Sequence, residues 1–107
     1  MGKFYIKKDD TASSFEATLQ DAAGDPVNLT GASVKFIMAK GTTVKVNAAA
    51  TLVDAANGIV RYDWIAGDTD TSGFFRAEWQ VTDSTSHIQT FPNPGYDEVI
   101  ITRDLGS

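Results

Sequence analysis

The chain has 107 residues, no cysteine, one histidine and a formal net charge of −5. The absence of cysteine excludes disulfide stabilisation, thiol catalysis and thiolate metal sites. Residues 1–53 carry a net charge of +1 and residues 54–107 a net charge of −6. Acidic balance without a basic stripe argues against a nucleic-acid backbone as partner.

A chain of this length reads as one domain over residues 1–107, large enough to bury about two-thirds of its unfolded surface. No apolar run approaches the ~20 residues that span a bilayer, so no membrane partner is expected. The opening Met-Gly-Lys-Phe-Tyr-Ile-Lys-Lys lacks the apolar core of a signal peptide. A small domain without cysteine suits a reducing cytoplasm, or something assembled there.

Lys3 to Lys8 alternates weakly, with Phe4 and Ile6 on one side and Tyr5 on the other. It predicts a short strand at a sheet edge, where lysines discourage further pairing. Phe15, Ala17 and Leu19 alternate with Glu16, Thr18 and Gln20 in a second strand. Asp21 to Pro26 is a turn in which Gly24 supplies the positive φ. Val27 to Ala32 forms a bridge that drops Leu29 into the core.

Ser33 to Ala39 is the third strand, with Val34, Phe36 and Met38 facing one way. Ile37 then falls on the face that should be polar, either on a covered surface or in a contact with another protein. Thr43 to Ala55 is read as a strand bulged near Ala48-Ala49-Ala50, because its residues are weak helix formers. Asn57-Gly58 is the strongest hairpin signal in the chain. Val60, Tyr62 and Trp64 then alternate with Ile59, Arg61 and Asp63, and Trp64 and Trp79 are expected as neighbours in one core.

Ala66 to Gly73 is a polar connection, with room for one helical turn capped by Asp68 or Thr69. Gly73 to Thr82 is the central strand. Phe75, Ala77, Trp79 and Val81 fall on one side, and Arg76, Glu78, Gln80 and Thr82 on the other. Each large ring on the first side can bury ~150–250 Å², on the order of 4–6 kcal/mol gross. His87 to Phe91 returns as a hairpin partner with Ile88 in strand register. Pro92-Asn93-Pro94-Gly95 must interrupt pairing, since proline has no donor. Tyr96 to Thr102 is the last strand. Leu105-Gly106-Ser107 reads as a loose end.

Many short strands, frequent turns and no convincing helix give an all-β fold class: an immunoglobulin-like antiparallel β-sandwich of seven to eight strands with no disulfide.

The candidates for chemistry are thin. His87 has no nucleophile elbow near it, although Ser14 and Ser33 are available serines. One histidine and no cysteine leave a zinc site short of ligands. Asp68-Thr69-Asp70 resembles the start of a calcium loop, with Asp9, Asp10, Asp97 and Glu98 as further donors, but the glycine and glutamate of an EF-hand are missing. Glu16, Glu78 and Glu98 are candidates for a glycosidase pair, yet Glu16 and Glu78 fall on outward strand faces, with Arg76 and Lys35 as ion-pair partners. No glycine-rich phosphate loop exists. No catalytic, cofactor or metal site is assigned, and the protein is read as no enzyme.

Exposed aromatics carry more. Phe74 lies opposite the buried face of the central strand, and Tyr5 and Phe91 are expected to face outward. Phe74, Ile37, Tyr5, Phe91 and Tyr96 are the candidate partner surface, since aromatics on a sheet face bind a neighbouring subunit or a sugar.

The run Asp21-Ala-Ala-Gly-Asp-Pro-Val-Asn-Leu-Thr-Gly-Ala-Ser-Val-Lys-Phe36 resembles a segment of the N-terminal domains of phage baseplate upper proteins and related tail proteins. Val53 to Trp64 is similar to their following hairpin. Asp68 to Trp79 resembles their D-T-x-x-x-G-x-[FY]-x-A-E-[FW] strand, and Thr90 to Tyr96 their closing segment. The match runs from about Phe15 to Ile101, and the order and spacing of the segments are more specific than any one of them. The resemblance implies an Ig-like sandwich in a virion tail, with no catalytic residues and no cofactor to carry over.

The expected function is that of a non-enzymatic structural or assembly protein of a tailed-phage or prophage particle, in tail or baseplate. It would bind other virion proteins or itself through sheet faces and edges. The alternative is a module that binds a host-surface glycan through Tyr5, Phe74, Phe91 or Tyr96.

Overall fold

A computed structural model describes residues 3–92, 96–103 and 105. Nine strands are present among them: β1 (Lys3–Lys7), β2 (Ser14–Thr18), β3 (Ser33–Lys40), β4 (Thr43–Ala49), β5 (Thr51–Asp54), β6 (Ile59–Asp63), β7 (Gly73–Thr82), β8 (Ile88–Phe91) and β9 (Asp97–Thr102). They form two layers. The larger sheet has the order β1-β9-β7-β3-β4, with β8 also paired to β7, and the smaller has the order β2-β6-β5.

The central strand is β7, as its alternation predicts. On one edge it pairs antiparallel with β3 from Arg76 to Thr82. On the other edge it meets two strands in succession: β9 along Gly73–Ala77 and β8 along Trp79–Thr82. The expected interruption at 92–95 falls mainly on residues outside the described set. On either side of it, β8 ends at Phe91 and β9 begins at Asp97. The loose end expected at Leu105-Gly106-Ser107 lies outside the described residues except for Leu105.

The pairing is antiparallel except that β1 runs parallel to β9, from Lys3 opposite Glu98 to Lys7 opposite Thr102. β1 is an edge strand, as its lysines predict. The nine strands exceed the expected seven to eight because Thr43 to Ala55 is divided between the layers. β4 belongs to the larger sheet and β5 to the smaller, with only Ala50 between them. The Ala50 N–H bonds the Val34 carbonyl at 2.8 Å, and Ala48, Ala50 and Ala55 pack partly buried against the core. Small side chains let the backbone cross at the sandwich margin without displacing the core.

The β5–β6 hairpin closes through a 3-10 turn at Ala55–Asn57 and Gly58 in the left-handed region, φ 70°. A β-carbon at Gly58 would lie 2.7 Å from the Val27 carbonyl oxygen and 2.8 Å from that of Leu19. Conformation and crowding both demand glycine there.

Between the layers lies an aromatic cluster. The Phe36 ring stacks on Tyr62 at 4.6 Å and meets Trp79 at 4.8 Å, Trp64 at 5.7 Å and Phe15 at 5.8 Å. The two tryptophans share one core, as expected, with Phe36 touching both. Their indole N–H groups differ. Trp79 Nε1 donates to Asp97 Oδ2 at 3.2 Å. Trp64 Nε1 is buried with no partner among the described residues.

The polar connection from Ala66 to Gly73 contains turns and no helix, and its centre is buried: Asp68 and Thr69 are both inaccessible. The Tyr62 hydroxyl and the Ile65 N–H donate to Asp68 Oδ2. The Thr69 hydroxyl donates to the Asp10 carbonyl at 2.9 Å, and the Asp9 N–H to the Thr69 carbonyl at 2.9 Å. In place of the expected caps, Asp68 ties its turn to the end of β6, and Thr69 ties it to the distant loop at Asp9–Asp10. Burial, then the bond to Asp68, push the Tyr62 hydroxyl pKa well above its usual value.

Two predictions follow from the core. Trp79→Phe removes a satisfied donor and Trp64→Phe an unsatisfied one, so Trp79→Phe is expected to cost ~1–3 kcal/mol more in urea unfolding. Equal costs would show that Asp97 does not hold the indole. At alkaline pH the folded state keeps the Tyr62 proton while the unfolded chain releases it above about 10, so stability falls as pH rises past that value. Tyr62→Phe is expected to flatten that fall, measured by urea titration across the alkaline range.

Candidate functional site

The outer face of the larger sheet has a layered arrangement that register alone specifies. Tyr5, Ile100 and Phe74 stand side by side on β1, β9 and β7. Tyr5 is 64% and Phe74 76% exposed, whereas Ile100 between them is 7% exposed although it lies on the solvent side. Cross-strand neighbours this close cover one another. The next row along β7 is Lys3, Glu98, Arg76, Ala39 and Val44. Lys3 Nζ lies 3.9 Å from Glu98, and the Arg76 guanidinium sits 4.9 Å from the Tyr96 ring centre while donating to the Gly41 carbonyl. Beyond it comes Ile37, opposite Glu78 and Asn47. A shallow depression of about 180 Å³ opens here, lined by Ile37, Ala39, Arg76, Glu78 and Tyr96.

Four of the five candidate residues therefore gather on one face: Phe74 and Tyr5 in the apolar row, Ile37 and Tyr96 around the depression. The fifth does not. Phe91 is 1% exposed and packs in the core, while Ile88 is 63% exposed. Phe91 pairs with Trp79, so its side chain follows Trp79 inward and Ile88 turns out. Sequence reasoning missed Ile100, although placing Val99 and Ile101 on one side of β9 leaves Ile100 on the other, between Glu98 and Thr102.

Five strand positions about 4.8 Å apart and a strand of about 33 Å give this face an area on the order of 600 Å². That approaches the ~800 Å² one partner contributes to a standard protein interface.

The candidates for chemistry do not converge. Glu16 lies on the outer face of the smaller sheet opposite Arg61, and Glu78 on the outer face of the larger, so the two flank the sandwich from opposite sides. Arg76 faces Glu98 across the strands. Lys35, expected as an ion-pair partner, lies opposite Gln80 and Ala49. The His87 ring is engaged through Nδ1 by the Thr85 hydroxyl at 2.9 Å, with Asp83 at 3.7 Å, in an exposed turn. Ser14 starts β2 opposite Asp63, and Ser33 starts β3 opposite Thr82.

The residues of the calcium-like loop are occupied elsewhere. Asp68 is bonded to Tyr62 and Ile65, and Asp70 to Lys45 and Thr71. The bonds from Lys45 and Thr71 hold the Asp70 carboxyl below its usual range. No cluster of three or more potential metal-ligating residues occurs among the described residues.

Comparison with known proteins gives a family assignment. The family model for the BppU N-terminal domain matches residues 3–92. The chain belongs to that family. BppU is the baseplate upper protein of phage, and the domain marks this chain as a structural component of a phage baseplate. No curated protein matches the sequence. Among solved structures, CopC from Methylosinus trichosporium OB3b is similar over 96% of this chain and 86% of its own, with a TM-score of 0.53 and 14% identity. That likeness is one of fold.

Since its loop carboxylates are spent on internal donors, the domain's melting temperature is expected to stay unchanged on adding millimolar calcium. Asp68→Asn is expected to lower it with or without the ion, since it weakens a buried charge-assisted hydrogen bond worth ~1.5–3 kcal/mol. A calcium-dependent rise in differential scanning fluorimetry would overturn this account of the loop.

Proposed function

We propose that the chain is a non-enzymatic assembly protein of a phage baseplate, and that it docks onto other virion proteins through the outer face of its larger sheet. The family match supports the class of protein. The observation that carries the surface is the Tyr5–Ile100–Phe74 row, an apolar stripe on a face where alternation calls for polar residues. Phe74 shares a strand with the fully buried Trp79 and the buried Phe75, so its placement is rigid. A rigid exposed aromatic flanked by charged residues suits an interface anchor. The Lys3–Glu98 pair and Arg76 supply a polar rim beside it.

A host-surface glycan as partner has one aromatic fewer than expected, because Phe91 is in the core.

The chain is expected in purified virions, and to co-elute with neighbouring baseplate proteins in size-exclusion chromatography with light scattering. Phe74→Asp is expected to weaken that complex at least about tenfold, as for an interface anchor. The same change should leave stability within ~0.5 kcal/mol, since the ring is exposed. A strict monomer that binds no tail protein and is missing from particles would overturn the proposal. Glycan-array hits lost in the same variant would replace it with the sugar-binding reading.

A further inference from the structure

β8 differs from every other described strand in its lack of charge. Its residues, Ile88, Gln89, Thr90 and Phe91, include no charge, whereas each of the other eight strands carries at least one acidic or basic side chain. Charged residues on edge strands block further pairing, so β8 lacks the usual protection. Its outer edge is also unpaired among the described strands, as are those of β1, β2, β4 and β5. β8 and β9 share one edge of β7, and β1 fills the lane beyond β9 from Glu98 onward. No described strand fills the lane beyond β8.

The register identifies which backbone groups face that lane. The Asp83 N–H bonds the His87 carbonyl at 2.9 Å. Hydrogen-bonded pairs alternate along an antiparallel ladder, so Val81–Gln89 and Trp79–Phe91 are the bonded pairs that follow. Ile88 and Thr90 therefore direct N–H and C=O away from β7. Among the described residues, neither takes part in a backbone hydrogen bond outside the strand pairing.

Beside this edge lies a groove of about 310 Å³ between β8 and the 27–32 bridge. Val27, Leu29, Ala32, Val81 and Phe91 give it apolar walls, and Asp83 is the acidic group on its lining. It exists because the smaller sheet has only three strands and does not reach under β8. Gln89 shares the inward side of β8 with Phe91, yet it is exposed.

The charge around the groove is of one sign. Three connections meet at this end: 19–32, 54–58 and 83–87. They are tied by the Leu19 N–H to Gly58 carbonyl and Leu29 N–H to Ala55 carbonyl bonds, and Gly31 lies against Ser84. Together they carry Asp21, Asp25, Asp54 and Asp83 and neither lysine nor arginine. The Thr85 hydroxyl and the His87 N–H hold the Asp83 carboxyl below its usual range, so it stays charged at neutral pH.

We propose that the outer edge of β8 is a strand-addition site for an extended segment of a partner protein, in which apolar residues alternate with lysine or arginine. The backbone of the segment bonds to Ile88 and Thr90, as in other edge-strand recognition. Its apolar side chains enter the groove wall of Leu29, Val81 and Phe91. Its basic side chains meet the acidic end of the domain. The same end of a second copy is repelled by like charge. The site is separate from the Phe74 face, so particle incorporation and strand addition can fail independently.

The test uses the intact chain, 15N-labelled, with a fluorescein-labelled, end-blocked octapeptide of alternating valine and lysine. In the free protein the Ile88 and Thr90 amides are expected to exchange fast while those of Gln89 and Phe91 are protected. On peptide binding the first two become protected. Thr90→Pro removes an outward donor without touching the β7 ladder, and is expected to weaken binding about tenfold, as loss of about one backbone hydrogen bond implies. A peptide N-methylated at alternate residues is expected to do the same with the protein unchanged, and a valine–glutamate peptide to bind at least about tenfold more weakly. Absence of binding, binding indifferent to N-methylation, or protection mapping to another edge would overturn the proposal. So would Ile88 and Thr90 amides that are protected without peptide and released on dilution, which would give the edge to a second copy of the chain.

Discussion

The position of the Phe36 ring is the constraint on which the rest of the structure depends. It comes from β3 in the larger sheet and is met by Tyr62 and Trp64 from the smaller layer, by Phe15 from β2 and by Trp79 from β7. With no disulfide, the two layers are joined by this contact of rings. Full burial of rings this size is worth on the order of 4–6 kcal/mol gross each, against a net stability of about 5–15 kcal/mol for a typical domain. A sandwich aligned by one cluster has little freedom to slide. The register of β3 against β7 sets which ring meets which, and once Trp79 is inward, Phe74 must be outward.

The edge of β7 opposite β3 is where regular pairing gives way to something specific. One edge strand would be expected there, and two are found, separated by the residues between Phe91 and Asp97. Asp97 restarts the ladder and accepts the Trp79 indole N–H, so the restart is fixed to the core. The division has two consequences. β9 gains β1 as an outer neighbour and with it the Tyr5–Ile100–Phe74 row, while β8 keeps an uncharged edge beside a groove. Both surface features follow from how one strand position is split.

Much of the architecture was legible in the sequence. Gly73–Thr82 has a buried side dense enough in aromatics to mark the central strand, and the structure places β7 there with the same bounds. Leu29, flanked by turn residues, was expected in the core and is there. Other parts were not legible, for identifiable reasons. Ile88 and Phe91 are even and odd in one strand, so only one can be inward, and pairing of Phe91 with Trp79 decides which. Asp68 and Thr69 look like solvent-facing loop residues. Their burial depends on Tyr62, which reaches Asp68 only because the chain folds back after β6, and on Asp10, which is far off in sequence. Ala48-Ala49-Ala50 has no period because the chain changes sheets there, and a change of layer has no periodic signature.

By itself, the sequence determined what is local: the alternation of β3, β6 and β7, and the turns at Gly24 and Gly58. Side-chain period and turn chemistry act over a few residues, so they survive without knowledge of partners. Only the tertiary structure decided the parallel pairing of β1 with β9, the inward turn of Phe91 and the burial of Asp68. It also decided the gathering of Tyr5, Ile37, Phe74 and Tyr96 on one face. Each of these is a question of which distant strand lies alongside and in which register. A shift of one residue in register moves a strand's whole apolar set to the other face, so register is settled only by the core that this face packs against and by the turns between strands.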